Sequence, residues 1–307
     1  MAEPMTTEKL TVRPRQDARR TLFRDRFAGG LNASGVDAPW LLKPAGALDQ
    51  GDGVPRAVLG GGVVVDPVAV HPTTGEPCFG YGPMPGAGED HMLWRAIPRR
   101  FAESGLPGYD VAPDEALTVE AELATEAFGM AGHPYGDAVT DPRADLRLGA
   151  GALIAADVET RLVFNLSLTD TRVFALYERF SEPGKKNGFC RAVPVADRVP
   201  GQFHRLAITY DRAEGTARWS VDGREVLVVD RLGGHGPLDR GRLIDEGAPE
   251  SELSPRQLLC GMAVFTLPGA AGTDGGPALV SDARPGPLGP WGQGVRLAAR
   301  SFEVTAH

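Results

Sequence analysis

The chain has 307 residues, 42% of them hydrophobic, enough to bury a sizeable core in one or two domains. A formal net charge of −8 and a pI of ≈ 5.3 leave no basic footprint for nucleic acid, and no apolar run approaches the length of a membrane span. Nearly all of the 32 basic residues are Arg, with Ala, Gly and Pro abundant, a usage typical of a high-GC bacterium such as an actinomycete.

Residues 1–20 are polar and read as a flexible arm, leaving 21–307 as one domain. The arm holds no apolar signal-peptide core, and Arg19-Arg20 is not followed by the apolar run of a twin-arginine signal, so a cytoplasmic location is expected. Phe23, Phe27 and Trp40 then stand as anchors among turn residues. RAVLGGGVVVDP at 56–67 is β-branched and predicts a strand, and 71–89 is a Pro- and Gly-rich loop. EDHMLWRAIPRRF at 89–101 is open between helix and strand, because Leu93, Ile97 and Phe101 have helical spacing that Pro98 interrupts. LTVEAELATE at 117–126 alternates: Leu117, Val119, Ala121 and Leu123 face one way, Thr118, Glu120 and Glu122 the other. LVFNLSLT (162–169) and RVFALYERF (172–180) predict a hairpin, and QLLCGMAVFTL (257–267) and VRLAARSFEVTA (295–306) predict late strands either side of a long loop. Short strands with frequent Gly and Pro turns predict an all-β sandwich or barrel. Cys78, Cys190 and Cys260 are odd in number and far apart, which fits reduced thiols better than a disulfide framework or a metal knuckle.

The most regular stretch is FHRLAITYDRAEGTARWSVDGREVLVVD, from Phe203 to Asp230. Asp222-Gly223 predicts a two-residue type I′ turn, which pairs Val221 with Arg224, Trp219 with Val226 and Ala217 with Val228. A four-residue loop, Arg212 to Gly215, pairs Tyr210 with Ala217, Ile208 with Trp219 and Leu206 with Val221. Both turns agree on one buried face: Leu206, Ile208, Tyr210, Ala217, Trp219, Val221, Val226 and Val228.

This segment resembles the concanavalin A-like lectin/glucanase superfamily. The residues that carry the likeness are Phe203, His204, Tyr210, Asp211, Trp219, Val221, Asp222 and Gly223, with Arg26-Phe27 and Trp40 as an opening strand and Ser301 to Val304 as a closing strand paired with it. With GEDHMLW and LYERF, the whole chain looks most like an actinobacterial branch of that superfamily. The resemblance implies a concanavalin A-like β-sandwich (jelly roll) of two antiparallel sheets, one of them offering a concave face framed by the loops near 72–92 and 268–294.

Retaining glucanases of that superfamily carry Glu-x-Asp-x-x-Glu on one strand, so Glu120, Glu122 and Glu126 form the first candidate group. Here the middle acid is Glu and the third falls one position late, so a bulge is needed to align it. The second candidate is the 162–180 hairpin. A four-residue loop around Asp170-Thr171 puts Asn165, Ser167, Arg172 and Glu178 on one face with Phe174 and Leu176, a mixture suited to a ligand groove. In the other register Tyr177 and Arg179 replace Glu178, so the run Tyr177-Glu178-Arg179 is expected at the site in either case. An amphipathic outer strand would give the same pattern. The third candidate is Asp90-His91 beside Trp94, an acid/base pair with a stacking platform; the structural alternative makes Asp90 a helix cap and Trp94 core. His204 reads as a satisfied structural histidine. The acids of 239–245 could supply calcium oxygens, but their spacing is not an EF-hand, and no metal or cofactor is expected.

The main expectation is a cytoplasmic protein that holds a small-molecule ligand on the concave face, as a binding protein or as a cofactor-independent cyclase, isomerase or hydrolase of bacterial specialised metabolism. The alternative is a carbohydrate-binding or glycoside-cleaving protein, and a third is an interaction module without chemistry.

Overall fold

The computed structural model describes residues 19–45, 48–80, 92–185, 187–234, 241–247, 251–273, 276, 278–279 and 291–307. Its strands, in chain order, begin with β1 (Arg20–Asp25), β2 (Trp40–Leu42), β3 (Val54–Ala57), β4 (Val63–Asp66), β5 (Ala69–Val70) and β6 (Pro77–Cys78). Next come β7 (Met92–Pro98), β8 (Tyr109–Asp110), β9 (Ala116–Phe128), β10 (Ala150–Ala156), β11 (Leu162–Leu168) and β12 (Arg172–Arg179). The last are β13 (Phe189–Asp197), β14 (His204–Asp211), β15 (Thr216–Val221), β16 (Arg224–Val229), β17 (Arg242–Asp245), β18 (Gln257–Phe265) and β19 (Gly294–Ala306).

Two large antiparallel sheets form a jelly-roll sandwich, as the residues from Phe203 to Gly223 implied. The eight-stranded sheet runs β16-β15-β14-β9-β19-β4-β3, with β1 also on β19. The nine-stranded sheet runs β17-β13-β12-β11-β10-β18-β7-β2, with β8 on β18. Period-two alternation explains the packing: Leu117, Val119, Ala121 and Leu123 of β9, Leu206, Ile208 and Tyr210 of β14, and Phe164 and Leu166 of β11 all enter one buried cluster. At its centre Trp219 meets Phe164 edge-on at 5.7 Å, and its indole N–H donates across the sandwich to the Asn165 carbonyl at 3.1 Å. A second aromatic group, Phe23, Phe27, Trp40 and Phe302, joins the sheets near the chain ends, and the Trp40 indole donates to Asp25 Oδ2 at 2.7 Å.

The meander follows its predicted register from Leu206 through Val221, and Asp222 (φ 52°) and Gly223 (φ 79°) adopt the left-handed conformations a type I′ turn requires. Beyond the turn the prediction fails by one residue. A bulge between Trp219 and Ser220 pairs Trp219 with Leu227 and Ala217 with Val229, so Val229 is the fully buried residue and Val226 and Val228 are half-buried. Residues 56–67 are not one strand: β3 and β4 pair as a hairpin, with Gly60, Gly61 and Gly62 all at positive φ between them. The described part of the 89–101 segment contains strand β7, Met92–Pro98, and no helix. The opening strand pairs with the closing one, Phe23 opposite Val304, but it ends at Asp25, and Phe27 lies beyond it at φ 50°. β1 starts at Arg20, while the rest of the proposed arm, residues 1–18, lies outside the described residues. All three cysteines are free and buried.

Trp219→Ala removes a fully buried ring and the inter-sheet hydrogen bond, and should cost about 3–5 kcal/mol. Trp219→Phe, which loses the N–H and the five-membered ring but keeps a buried aromatic, should cost less, about 1–3 kcal/mol. Urea unfolding of the two variants checks this ordering.

Candidate functional site

The outer face of the nine-stranded sheet carries a second buried apolar cluster, separate from the main core. Ile154, Phe174, Leu176, Cys190, Ala192, Leu259 and Phe265 belong to it. Strand pairing sets the rows of this face. One row reads Ile154, Asn165, Leu176, Ala192; the next reads Ala263, Ala152, Ser167, Phe174, Pro194. Leu146 and Ala270, from segments outside the strands, and Leu243 of the edge strand β17 complete the cluster. Backbone hydrogen bonds hold these segments in place, from Ala271 to the Leu243 carbonyl at 2.9 Å and from Leu267 to the Arg147 carbonyl at 3.0 Å. This face is therefore covered; much of the loops expected to frame a concave groove, residues 81–91 and 280–290, lies outside the described residues.

Two polar atoms are out of place under that roof. Asn165 (6% exposed) and Ser167 (0% exposed) lie among apolar side chains, and neither Asn165 Oδ1 nor Ser167 Oγ has a hydrogen-bond partner. A buried unpaired acceptor costs about 1–3 kcal/mol, so the arrangement is held against a penalty.

The hairpin adopts the four-residue register, with Asn165 opposite Leu176, Ser167 opposite Phe174 and Val163 opposite Glu178. Asn165, Ser167, Phe174 and Glu178 thus share the outer face, as expected. Arg172 shares it too but is exposed at the end of the strand, ion-paired with Asp197. The run Tyr177-Glu178-Arg179 splits, because neighbours on a strand point to opposite faces. Tyr177 is fully buried in the main core, where the Gly233 N–H donates to its hydroxyl at 2.6 Å; it is a packing residue, not a site residue. Arg179 follows Tyr177's side of the sheet and donates to Ser251 Oγ at 3.0 Å, away from the outer face. Glu178 is half-buried opposite Cys190. Burial first, and the Glu178 charge second, push the Cys190 thiol well above its ordinary pKa, so this cysteine is not a nucleophile at neutral pH.

The acidic strand lies on the wrong sheet for this site. Glu120, Glu122 and Glu126 project from the outer face of the eight-stranded sheet, each paired with an arginine: Arg205 at 2.8 Å, Arg300 at 2.9 Å and Arg296 at 2.8 Å. The bulge expected for the third acid is absent from β9 and lies on β19, between Ala299 and Ser301; Glu126 shares the face of Glu120 and Glu122 without it. These carboxylates form a solvent-facing ion-pair row, on the opposite sheet from Asn165 and Ser167. Trp94 is not a stacking platform. It is fully buried in the main core, its ring against Gly53, where an added Cβ would overlap it. Asp90 and His91 lie outside the described residues. Asp245, one of the acids considered for calcium, instead receives Arg191 at 3.1 Å and Arg242 at 3.3 Å; Asp239 lies outside the described residues. His204 is held by Asp222, Nδ1 to Oδ2 at 2.8 Å, as a structural residue.

A family match extends over residues 24–307, nearly the whole sandwich. The chain belongs to the "Family of unknown function (DUF6081)". It is also similar to an uncharacterized protein, L829, of Acanthamoeba polyphaga mimivirus, 27% identical across 40% of this chain and 42% of the relative. The chain thus matches less than half the length of that curated relative. Among solved structures it is similar to one from work on endo-acting O-glycanases of the human gut microbiota (12% identity, 94% and 99% of the two chains, TM-score 0.49). It is similar also to β-agarase B from Zobellia galactanivorans (9% identity, 92% of each chain, TM-score 0.48) and to the β-glucanase of Bacillus licheniformis (9%, 92% and 96%, TM-score 0.45). At TM-scores under 0.5 none of these likenesses transfers an activity.

Sequence reasoning missed most of the frame around Asn165. Strand β10, AGALIAA, is buried on both faces and shows no alternation, and β13 carries Pro194 in its interior, which reads as a break but sits at a bulge. Glu120→Gln, Glu122→Gln and Glu126→Gln should each change stability by less than about 1 kcal/mol, the ordinary worth of a surface ion pair. Urea unfolding checks this, and a loss above about 3 kcal/mol in any one would contradict the solvent-facing assignment.

Proposed function

We propose that this DUF6081 protein binds carbohydrate beneath the roof on the outer face of the nine-stranded sheet. The observation that carries the reading is the pair of buried, unpartnered polar atoms, Asn165 Oδ1 and Ser167 Oγ, beside Phe174 and Leu176. A ligand hydroxyl supplies the donor that Asn165 Oδ1 lacks, and Ser167 can give or accept. A sugar ring offers hydroxyls next to a C–H face, which suits an acceptor pair set among apolar side chains. Entry displaces the Leu267–Ala271 cover from the sheet.

Binding, not retaining cleavage, is the activity this arrangement supports. Among the described residues, the carboxylates on the hairpin and its β13 neighbour that face outward are Glu178 and Asp197, and Asp197 pairs with Arg172, six positions along β12 from Glu178. That separation is about 20 Å along the strand. A two-carboxylate glycosidase needs roughly 5–9.5 Å. The apolar rows around Phe174 favour a second reading, a small apolar metabolite of the kind handled in specialised metabolism.

Thermal shift with neutral oligosaccharides against apolar polycyclic compounds separates the two readings. Carbohydrate binding predicts a rise in Tm with at least one oligosaccharide and none with the polycyclics. Asn165→Leu should raise the stability of the free protein by about 1 kcal/mol, because it removes an unpaired buried acceptor, and should abolish the oligosaccharide shift. A destabilised Asn165→Leu protein that keeps the shift would overturn the proposal.

A further inference from the structure

The sequence holds one Asn-Gly pair, Asn187-Gly188, in the connection between β12 and β13. Asn-Gly is the pair most open to deamidation, because glycine has no side chain to keep its own nitrogen from the neighbouring carboxamide. Packing requires the glycine here. A Cβ at Gly188 would lie 2.7 Å from Ser181 Oγ and 3.0 Å from both the Arg179 carbonyl oxygen and the Ser181 nitrogen. The Gly188 backbone is also a seam between strands. The Glu246 N–H donates to the Gly188 carbonyl at 3.0 Å, and the Gly188 N–H donates to Glu246 Oε2 at 3.1 Å. Ser181 Oγ donates to the same carboxylate oxygen. Glu246 follows directly on β17, the edge strand that brings Leu243 into the outer cluster.

Deamidation through a succinimide needs the Asn187 carboxamide to swing onto the Gly188 nitrogen, and that nitrogen to lose its proton. Both are opposed. The Glu182 N–H donates to Asn187 Oδ1 at 2.8 Å, and Asn187 Nδ2 donates to Glu182 Oε1 at 2.8 Å, so one residue grips both ends of the amide. The Lys185 ammonium, on Glu182 Oε2 at 2.6 Å, and then the Asn187 amide hold the Glu182 carboxyl below its usual pKa, so it stays ionised at neutral pH. At Gly188 the N–H already points at a carboxylate, and an amide anion formed there would face like charge. When the reaction does run, the Gly188 nitrogen bonds to Asn187 Cγ and the Cγ–Nδ2 bond breaks. The proton given up by Gly188 is balanced by the one the amide takes from water to leave as ammonia. Water then opens the ring to aspartate or isoaspartate. Either product sets a carboxylate in place of the amide against Glu182, and isoaspartate adds a backbone carbon beside Gly188, where not even a Cβ fits.

We propose that Asn187 is a modification site kept latent by Glu182 and Glu246, and that its conversion to isoaspartate unfastens β17 from β13 at the edge of the covered face. This does not depend on which ligand lies under that cover. The test ages the full chain in mildly alkaline buffer, folded and unfolded in urea, and follows residue 187 by peptide mapping with isoaspartate-resolving fragmentation. The folded native chain should convert at least about tenfold more slowly than the unfolded one. Glu182→Ala and Glu246→Ala, with circular dichroism confirming the fold, should each speed conversion of the folded chain about tenfold, the worth of one hydrogen bond to a charged group. Glu246→Gln, which keeps an acceptor without the charge, should speed it about threefold. Glu122→Ala, on the other sheet, should leave the rate unchanged. In the isoaspartate form, prepared from the aged Glu182→Ala chain, residues 242–246 should lose hydrogen-exchange protection relative to the unaged variant. The proposal fails if the folded native chain converts at the unfolded rate, or if the folded Glu182 and Glu246 variants convert no faster than it does. Unchanged protection at 242–246 overturns the link to β17.

Discussion

The constraint on which the rest depends is the inward packing of β9 at the centre of the eight-stranded sheet. Leu117, Val119, Ala121 and Leu123 take the interior, so a period of two sends Glu120, Glu122 and Glu126 outward on the far side. A one-residue slip would place three carboxylates in the core, where unpaired charge is strongly unfavourable. The same alternation on β14 and β15 brings Trp219 inward to donate to the Asn165 carbonyl. The regular meander is thus scaffold, and through Trp219 it holds β11 at the position where Asn165 and Ser167 emerge on the opposite face.

β11 and β12 are buried on both faces, which is unusual for antiparallel strands in a sandwich. One face belongs to the main core and the other to the cluster completed by Leu146, Leu243 and Ala270. Double burial makes any unpaired polar atom conspicuous, and Asn165 Oδ1 and Ser167 Oγ stand out for that reason. Other buried side-chain atoms also lack a partner, Trp94 Nε1, Tyr109 Oη, Thr266 Oγ1 and Gln293 Oε1 among them; Asn165 and Ser167 differ in sitting side by side under one cover. Arg198 is buried too: burial pulls its pKa down to about 10, yet its terminal nitrogens donate to the carbonyls of Thr125, Thr169, Asp170 and Gln202, and it stays charged at neutral pH with Nε unpartnered.

The parts of the fold legible in the sequence were those with one wet and one dry face. β9, β14 and β15 alternate clearly, and the Asp222-Gly223 turn fixes its own register. The bulge opposite Trp219 was not legible, because Val226, Leu227, Val228 and Val229 are chemically alike and the pattern fits two registers equally. β10 and β13 were missed for lack of alternation and for an interior proline. At the site, the hairpin register and the shared face of Asn165, Ser167, Phe174 and Glu178 were readable from loop length. The roof was not, since Leu243 and Ala270 come from distant, turn-rich sequence. Tyr177 illustrates the other limit: residue chemistry suggested catalysis, while strand parity sends its hydroxyl to Gly233.

The most direct measurement of the central claim is an NMR titration of the isotope-labelled chain with the oligosaccharide that gives the largest thermal shift, following the Asn165 side-chain amide and the backbone amides of residues 120–126. A ligand seated under the roof predicts a saturable shift of the Asn165 amide with the 120–126 signals unmoved. Saturable shifts along 120–126 with Asn165 unchanged would contradict the account and return the acidic strand to the site.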